Sequence, residues 1–172
     1  RFDGLTNFLR VKDADHLSIT HTGSMTIEAW IRPDVLQFPK WESSGYVHWL
    51  GKGDTWKKGH EYLCRMYNFE NSENRPNRIS GYAFNTDGGY GAGSSFQEPV
   101  KQREWIYVVV CYTTANVTKM FPTGLKTFPT GYVSIYKNGI FKNVGGMIQF
   151  NIVPENNSMD LFIGTRDLRS LF

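Results

Sequence analysis

The sequence predicts an all-β protein in which two antiparallel sheets pack as a jelly-roll sandwich. One ground is alternation. Along residues 105–113, Trp105, Tyr107, Val109 and Cys111 fall on one side and Ile106, Val108, Val110 and Tyr112 on the other. β-Branched and aromatic residues in period two suit a pleated strand, and apolar character on both sides places this strand inside a sheet. A second ground is Asn138-Gly139, set between apolar flanks. A type I′ hairpin turn needs two residues that tolerate positive φ, and this pair supplies them. The third is punctuation: short alternating runs are separated by Gly, Pro, Asn and Asp clusters, and no helical pattern of convincing length intervenes.

The elements follow in order. Between residues 1 and 20, two short strands flank a turn at Asp13-Ala14-Asp15, whose side chains bond the local backbone. Residues 25–32 alternate, with Met25, Ile27, Ala29 and Ile31 facing one way and Thr26, Glu28, Trp30 and Arg32 the other. Residues 34–60 form an irregular region holding Trp41, Trp49 and Trp56, with one short strand at 46–50. Strands at 61–68 and 78–85 are joined by a polar loop. The glycine-rich run 87–95 reads as a flexible loop. An insert at 114–131 carries Phe121-Pro-Thr-Gly124 and its repeat Phe128-Pro-Thr-Gly131, expected as a compact double turn against the sandwich rim. The Asn-Gly hairpin should bring Tyr136 opposite Phe141 and Val133 opposite Val144.

With 172 residues, the chain has the size of a single domain with a sizeable core. Its formal charge of +3 is small and scattered, which gives no case for nucleic acid. No apolar run is long enough for membrane insertion. Cys64 and Cys111 both fall in expected strands, where they are either buried free thiols or a bridge between sheets.

Several segments resemble laminin-G-like domains of the concanavalin A-like lectin/glucanase superfamily. They are Phe2-Asp3-Gly4, Phe8-Leu9-Arg10-Val11, Met25-Thr-Ile-Glu-Ala-Trp-Ile-Arg-Pro33, Gly51-Lys-Gly-Asp54, the Trp105 strand, Tyr136-Lys-Asn-Gly139 and Leu161-Phe-Ile-Gly164, standing in family order. The resemblance implies one concanavalin A-like jelly roll over residues 1–172, with its last strand lacking from this stretch and a longer parent chain around it. It assigns Trp30 and Trp105 to core packing. It also implies room for one calcium ion, with Asp3, Asp13, Asp15, Asp54 and Asp87 as available carboxylates and no particular ligand set. No other cofactor is expected.

Catalytic signatures of related folds are missing. The Glu-x-Asp-x-x-Glu strand of sandwich glycosidases has no counterpart, since Glu28 and Glu61 stand alone in their strands, and the lyase strands Arg-x-Glu-Leu-Arg and Gln-Ile-His are absent. His16, His21, His48 and His60 lack zinc spacing. The glycine run at 88–93 opens no helix that could hold a phosphate. The chain is therefore expected not to be an enzyme.

Binding is the remaining class. The second faces of several strands mix rings with polar groups, namely Arg65, Tyr67, Tyr82, Phe84, Tyr112, Tyr132 and Tyr136, as an open saccharide site would. Rings of this size also serve as core. In the loops, Trp41 and Trp56 are candidate stacking residues, Tyr90 sits between glycines, and Asp54, His60 and Arg65 are polar partners. The expectation is a non-catalytic, lectin-like module for a glycan or polysaccharide, extracellular or on a cell surface. A protein-interaction module is the second reading, and a glycan-active enzyme with an unfamiliar site the third. Asn116-Val-Thr118 and Asn156-Asn-Ser158 fit the N-glycosylation pattern, which matters only in a eukaryotic secretory setting.

Overall fold

The computed structural model describes residues 1–3, 6–38, 45–53, 59–85, 91–147 and 156–165. Twelve strands build the described part, in two main sheets and one separate hairpin. The larger sheet joins β1 (Leu9–Val11), β12 (Leu161–Ile163), β3 (Tyr46–Lys52), β4 (Tyr62–Tyr67), β5 (Ile79–Phe84) and β6 (Gly91–Ser95) in that spatial order. The smaller sheet has the order β11 (Ile140–Gly146), β10 (Tyr132–Lys137), β7 (Ile106–Thr113), β2 (Ser24–Ile31). All pairings in both sheets are antiparallel.

Alternation fixes which side chains meet between the layers. Ile106, Val108, Val110 and Tyr112 of β7 are buried against Tyr62, Cys64 and Met66 of β4, Ile79 and Ala83 of β5, and Val133 and Ile135 of β10. Met25, Ile27, Ala29 and Ile31 of β2 close the side of this core. The hairpin turn is as expected, with φ of 52° at Asn138 and 79° at Gly139.

Five expectations need correction. The run after residue 90 is no loop: β6 pairs with β5 along its whole length, Tyr82 opposite Gly93 and Phe84 opposite Gly91. A bulge in the β10–β11 hairpin preserves Tyr136 opposite Phe141 but puts Ser134 opposite Val144 and Val133 opposite Gly145. In place of the second of the two short strands expected before residue 20 there is a 3-10 turn at Asp15–Leu17 followed by a short helix, Ile19–Thr22. Trp30 and Trp105 are 65% and 58% exposed, because they lie on the Glu28 side of the β2 and β7 region and not on the core side. The insert is a hairpin, β8 (Val117–Phe121) and β9 (Gly124–Phe128), with one Phe-Pro-Thr-Gly copy as its turn and the other leading into β10. Phe121 and Phe128 pack with Tyr132 and Val144 in a second small core.

Both cysteines are free. Cys64 points inward, 3.6 Å from the Tyr112 hydroxyl, whereas Cys111 points outward, where Thr26 Oγ1 lies 3.8 Å from its sulfur. Opposite sides of the smaller sheet keep them from meeting.

Candidate functional site

The side of the larger sheet that faces away from the core is built from the residues its strands do not bury between layers. Its register sets His48, Arg65, Ser80 and Ser95 in one cross-strand row, Tyr46 beside Tyr67 in another, and Leu63, Tyr82 and Gly93 in a third. Short side chains on β6 leave a hollow beside the rings. Cβ atoms at Gly91 and Gly93 would run into the rings of Phe84 and Tyr82, and at Gly93 into the Gly81 carbonyl as well. Glycine is therefore what lets these rings lie flat over β6.

The result is a cleft of about 410 Å³ whose walls include Tyr46, Tyr82 and Phe84, with Arg65, Glu73, Arg75 and Asn143 as polar groups. Its centre is Arg65. The guanidinium carbon lies 4.0 Å from the Tyr82 ring centroid, 4.1 Å from Tyr46 and 4.9 Å from Tyr67. Stacking of this kind favours a desolvated guanidinium. Arg65 Nη2 donates to the Tyr67 hydroxyl at 2.8 Å and to Glu73 Oε1 at 3.4 Å. Arg75 Nη1 donates to the Tyr82 hydroxyl at 2.7 Å and the Tyr67 hydroxyl at 3.2 Å, and stands 3.2 Å from Glu73 Oε2. The two phenols bond each other at 2.9 Å.

Both arginines keep their charge. Burial works against the Arg65 cation, but the facing Tyr67, Tyr82, Tyr46 and Glu73 outweigh it and move its pKa up. For Arg75 burial is likewise outweighed, by Tyr82, Tyr67 and Glu73. Burial raises the Tyr67 phenol despite the opposing pull of Arg65, so it stays neutral at ordinary pH.

Of the residues singled out in the sequence, Arg65 lines this cleft. His60 is buried behind it, its ring centroid 5.6 Å from that of Phe84. Trp41, Asp54, Trp56 and Tyr90 lie outside the described residues. Among the mixed ring-and-polar set, Tyr67, Tyr82 and Phe84 gather at or beside the cleft, whereas Tyr112 belongs to the main core and Tyr132 to the second one. Glu73, Arg75, Tyr46 and Asn143 went unnoticed in the sequence. Arg75 and Glu73 sit in a polar loop with no pattern of its own, and only the mixed pairs Arg65 with Tyr67 and Tyr82 with Phe84 on the neighbouring strands pointed there.

The described aspartates among the calcium candidates each face another partner. Asp3 accepts from the Thr6 and Asn7 amides at 2.8 and 3.0 Å, Asp13 Oδ1 is 2.8 Å from Lys52 Nζ, and Asp15 faces His21 at 3.6 Å. Among the described residues no three His, Cys, Asp or Glu side chains converge as a ligand set. Asp54 and Asp87 lie outside those residues. A second, more open depression of about 670 Å³ runs past Val35, Leu36, Phe69 and Gln102. Among the described residues its lining has one charged side chain, Glu70, against three in the cleft, so the cleft is the better candidate. No helix among the described residues is long and apolar enough to cross a membrane.

No protein-family model matches the chain, and no curated protein does. Solved structures do. The chain is similar to the native heptameric SAP-like pentraxin from Limulus polyphemus at 10% identity and a TM-score of 0.53, over 86% of this chain and 54% of that one. It is also similar to domain 4 of AbnA, a GH43 extracellular arabinanase from Geobacillus stearothermophilus, in complex with arabinotriose, at 11% identity and a TM-score of 0.45, over 96% and 56%. The chain thus spans about half the length of each solved chain. The pentraxin likeness shows the fold, a two-sheet antiparallel jelly-roll sandwich.

Proposed function

We propose that the chain is a non-catalytic, lectin-like module that binds a glycan or polysaccharide in the cleft on the larger sheet. The observation that carries this reading is the wall of Tyr46, Tyr82 and Phe84 standing beside the forked donors of Arg65 and Arg75 and the amide of Asn143. Sugar C–H faces pack on rings, and sugar hydroxyls and ring oxygens need fixed polar partners close by. The cleft volume falls within the roughly 300–1,000 Å³ usual for small-ligand sites. Binding without catalysis is supported by the cleft lining, whose single carboxylate among the described residues, Glu73, is engaged with both arginines. Polymeric saccharides are met chiefly outside cells, so the proposed setting is a larger secreted or surface protein.

A glycan array followed by calorimetric titration tests the reading. Tyr82→Ala should weaken binding by about tenfold or more, the loss of one ring contact of roughly 1.4 kcal/mol. Failure of every saccharide to bind, or titrations unchanged by Tyr82→Ala, would refute it.

A separate observation favours protein contact as the second reading. Trp30 stacks on Tyr107 at 5.3 Å, and Arg32 lies over Trp105 at 5.8 Å, forming an exposed aromatic row that includes the edge strand β2. Exposed aromatic groups of this kind mark contact surfaces. Trp30→Ser should then abolish capture of a protein ligand while leaving saccharide titrations alone.

A further inference from the structure

Among the described residues the cleft lining holds more positive than negative charge: two guanidiniums, Arg65 and Arg75, and one carboxylate, Glu73. Lys142, next to the lining residue Asn143, is already matched by Glu98 at 2.6 Å. The Tyr67 phenol, kept neutral by burial, is a hydrogen-bond partner and supplies no countercharge.

Donor capacity is also left over. Arg65 is only 7% exposed, yet its Nε is buried without a hydrogen-bond partner. Leaving such a donor unmet in a partly dry setting is costly. Every hydrogen bond of Arg75 given above uses Nη1. Among the described residues its Nε and Nη2 have no partner, and more than a third of the side chain is open, at 37%. One edge of that fork therefore faces the cleft or solvent, free to meet a planar or tetrahedral anion side-on.

We infer that the cleft takes an acidic saccharide, one whose sugar bears a carboxylate or a sulfate ester that pairs with Arg75 while the ring stacks on Tyr82. This rests on the saccharide reading and sharpens it. The anion balances the excess cation, and the pairing gains from the aromatic walls, which lower the local dielectric.

Calorimetry of the whole chain tests the inference with three probes: a neutral oligoglucan, an oligogalacturonide and a sulfated oligosaccharide. At least one acidic probe should bind about tenfold or more tighter than the neutral one, as a charge-assisted hydrogen bond of roughly 1.5 kcal/mol or more requires. Which acidic probe wins separates carboxylate from sulfate. Raising NaCl from about 0.05 to 0.3 M should weaken the acidic probe and spare the neutral one. Arg75→Gln should bring the acidic and neutral affinities together. Should that variant fail to fold, the salt series on the unaltered chain still decides. Equal binding of neutral and acidic probes, no salt effect, or a preference that survives in folded Arg75→Gln overturns the inference and leaves the saccharide reading standing. No binding by any of the three, with a blank array, removes both.

Discussion

Replacing Lys52 with Met should be among the most damaging single changes in the chain. Lys52 is fully buried, and its ammonium stands 2.7 Å from Glu61 Oε1, 2.8 Å from Asp13 Oδ1 and 3.0 Å from the Asn157 carbonyl. These groups come from the end of β3, the start of β4, the segment after β1 and the approach to β12, so one cation ties four places together. Glu61 is 1% exposed and also accepts from the Asn157 amide at 2.7 Å and from Ser18 Oγ at 3.2 Å. Without the ammonium its carboxylate would be a buried charge lacking a counterion. Breaking a buried pair from one side costs about 3–5 kcal/mol. For a domain of this size each kcal/mol lowers Tm by about 2–4 °C, which gives a drop of about 6–20 °C. Urea unfolding and calorimetric melting measure it, together with Lys52→Met/Glu61→Leu. The double variant should recover much of the loss, because no charge is then stranded. A Lys52→Met chain within about 1 kcal/mol of the original, or a double variant worse than both single changes combined, would refute the reasoning.

Three further outcomes are expected. Gly93→Ala should destabilise the chain by about 1–3 kcal/mol through overpacking and weaken saccharide binding, since the new Cβ would collide with the Gly81 carbonyl and the Tyr82 ring; melting and titration read the two effects. Burial pushes the Cys64 thiol up to about 12, so a disulfide reagent at pH 8 should label only Cys111 in the native chain and reach Cys64 only in denaturant. Asp160 is held below the usual carboxylate range: burial works the other way but is outweighed by the Asp13 amide at 2.9 Å, by Arg10 and by Lys12. A depressed carboxylate stabilises the fold above the ordinary value of about 3.9 and loses that contribution as pH falls through its own lower value. Asp160→Asn should therefore melt earlier than the original chain at pH 7 and converge with it in acid; a gap that stays constant down to pH 2.5 would contradict the tie.

Legibility from sequence followed the physics of each element. Alternation exposed β2 and β7 because every second residue there is large and apolar, and Asn138-Gly139 exposed its hairpin because few other pairs accept two positive φ angles. β6 was hidden for the converse reason. Its side chains are small so that the rings of β5 can lie over it, and a strand whose packing is supplied by its neighbour carries no period of its own. Trp30 shows how alternation can outrank a family likeness, since period two had already set it with Glu28 and Arg32 on the polar side. For the cleft, Arg65, Tyr82 and Phe84 were visible as a mixed face, but the Arg75–Glu73 arm comes from a loop whose position depends on contacts no local pattern encodes. The same holds for Lys52 and Asn157, distant in sequence and joined only in the fold.

The most direct measurement is an NMR titration of the isotopically labelled chain with the oligosaccharide that binds best in calorimetry. The account predicts that shifted amides cluster around Tyr46, Arg65, Glu73, Arg75, Tyr82 and Gly93 on the larger sheet. Shifts centred instead on Trp30, Trp105 and Tyr107, or no saturable shift anywhere, would contradict it.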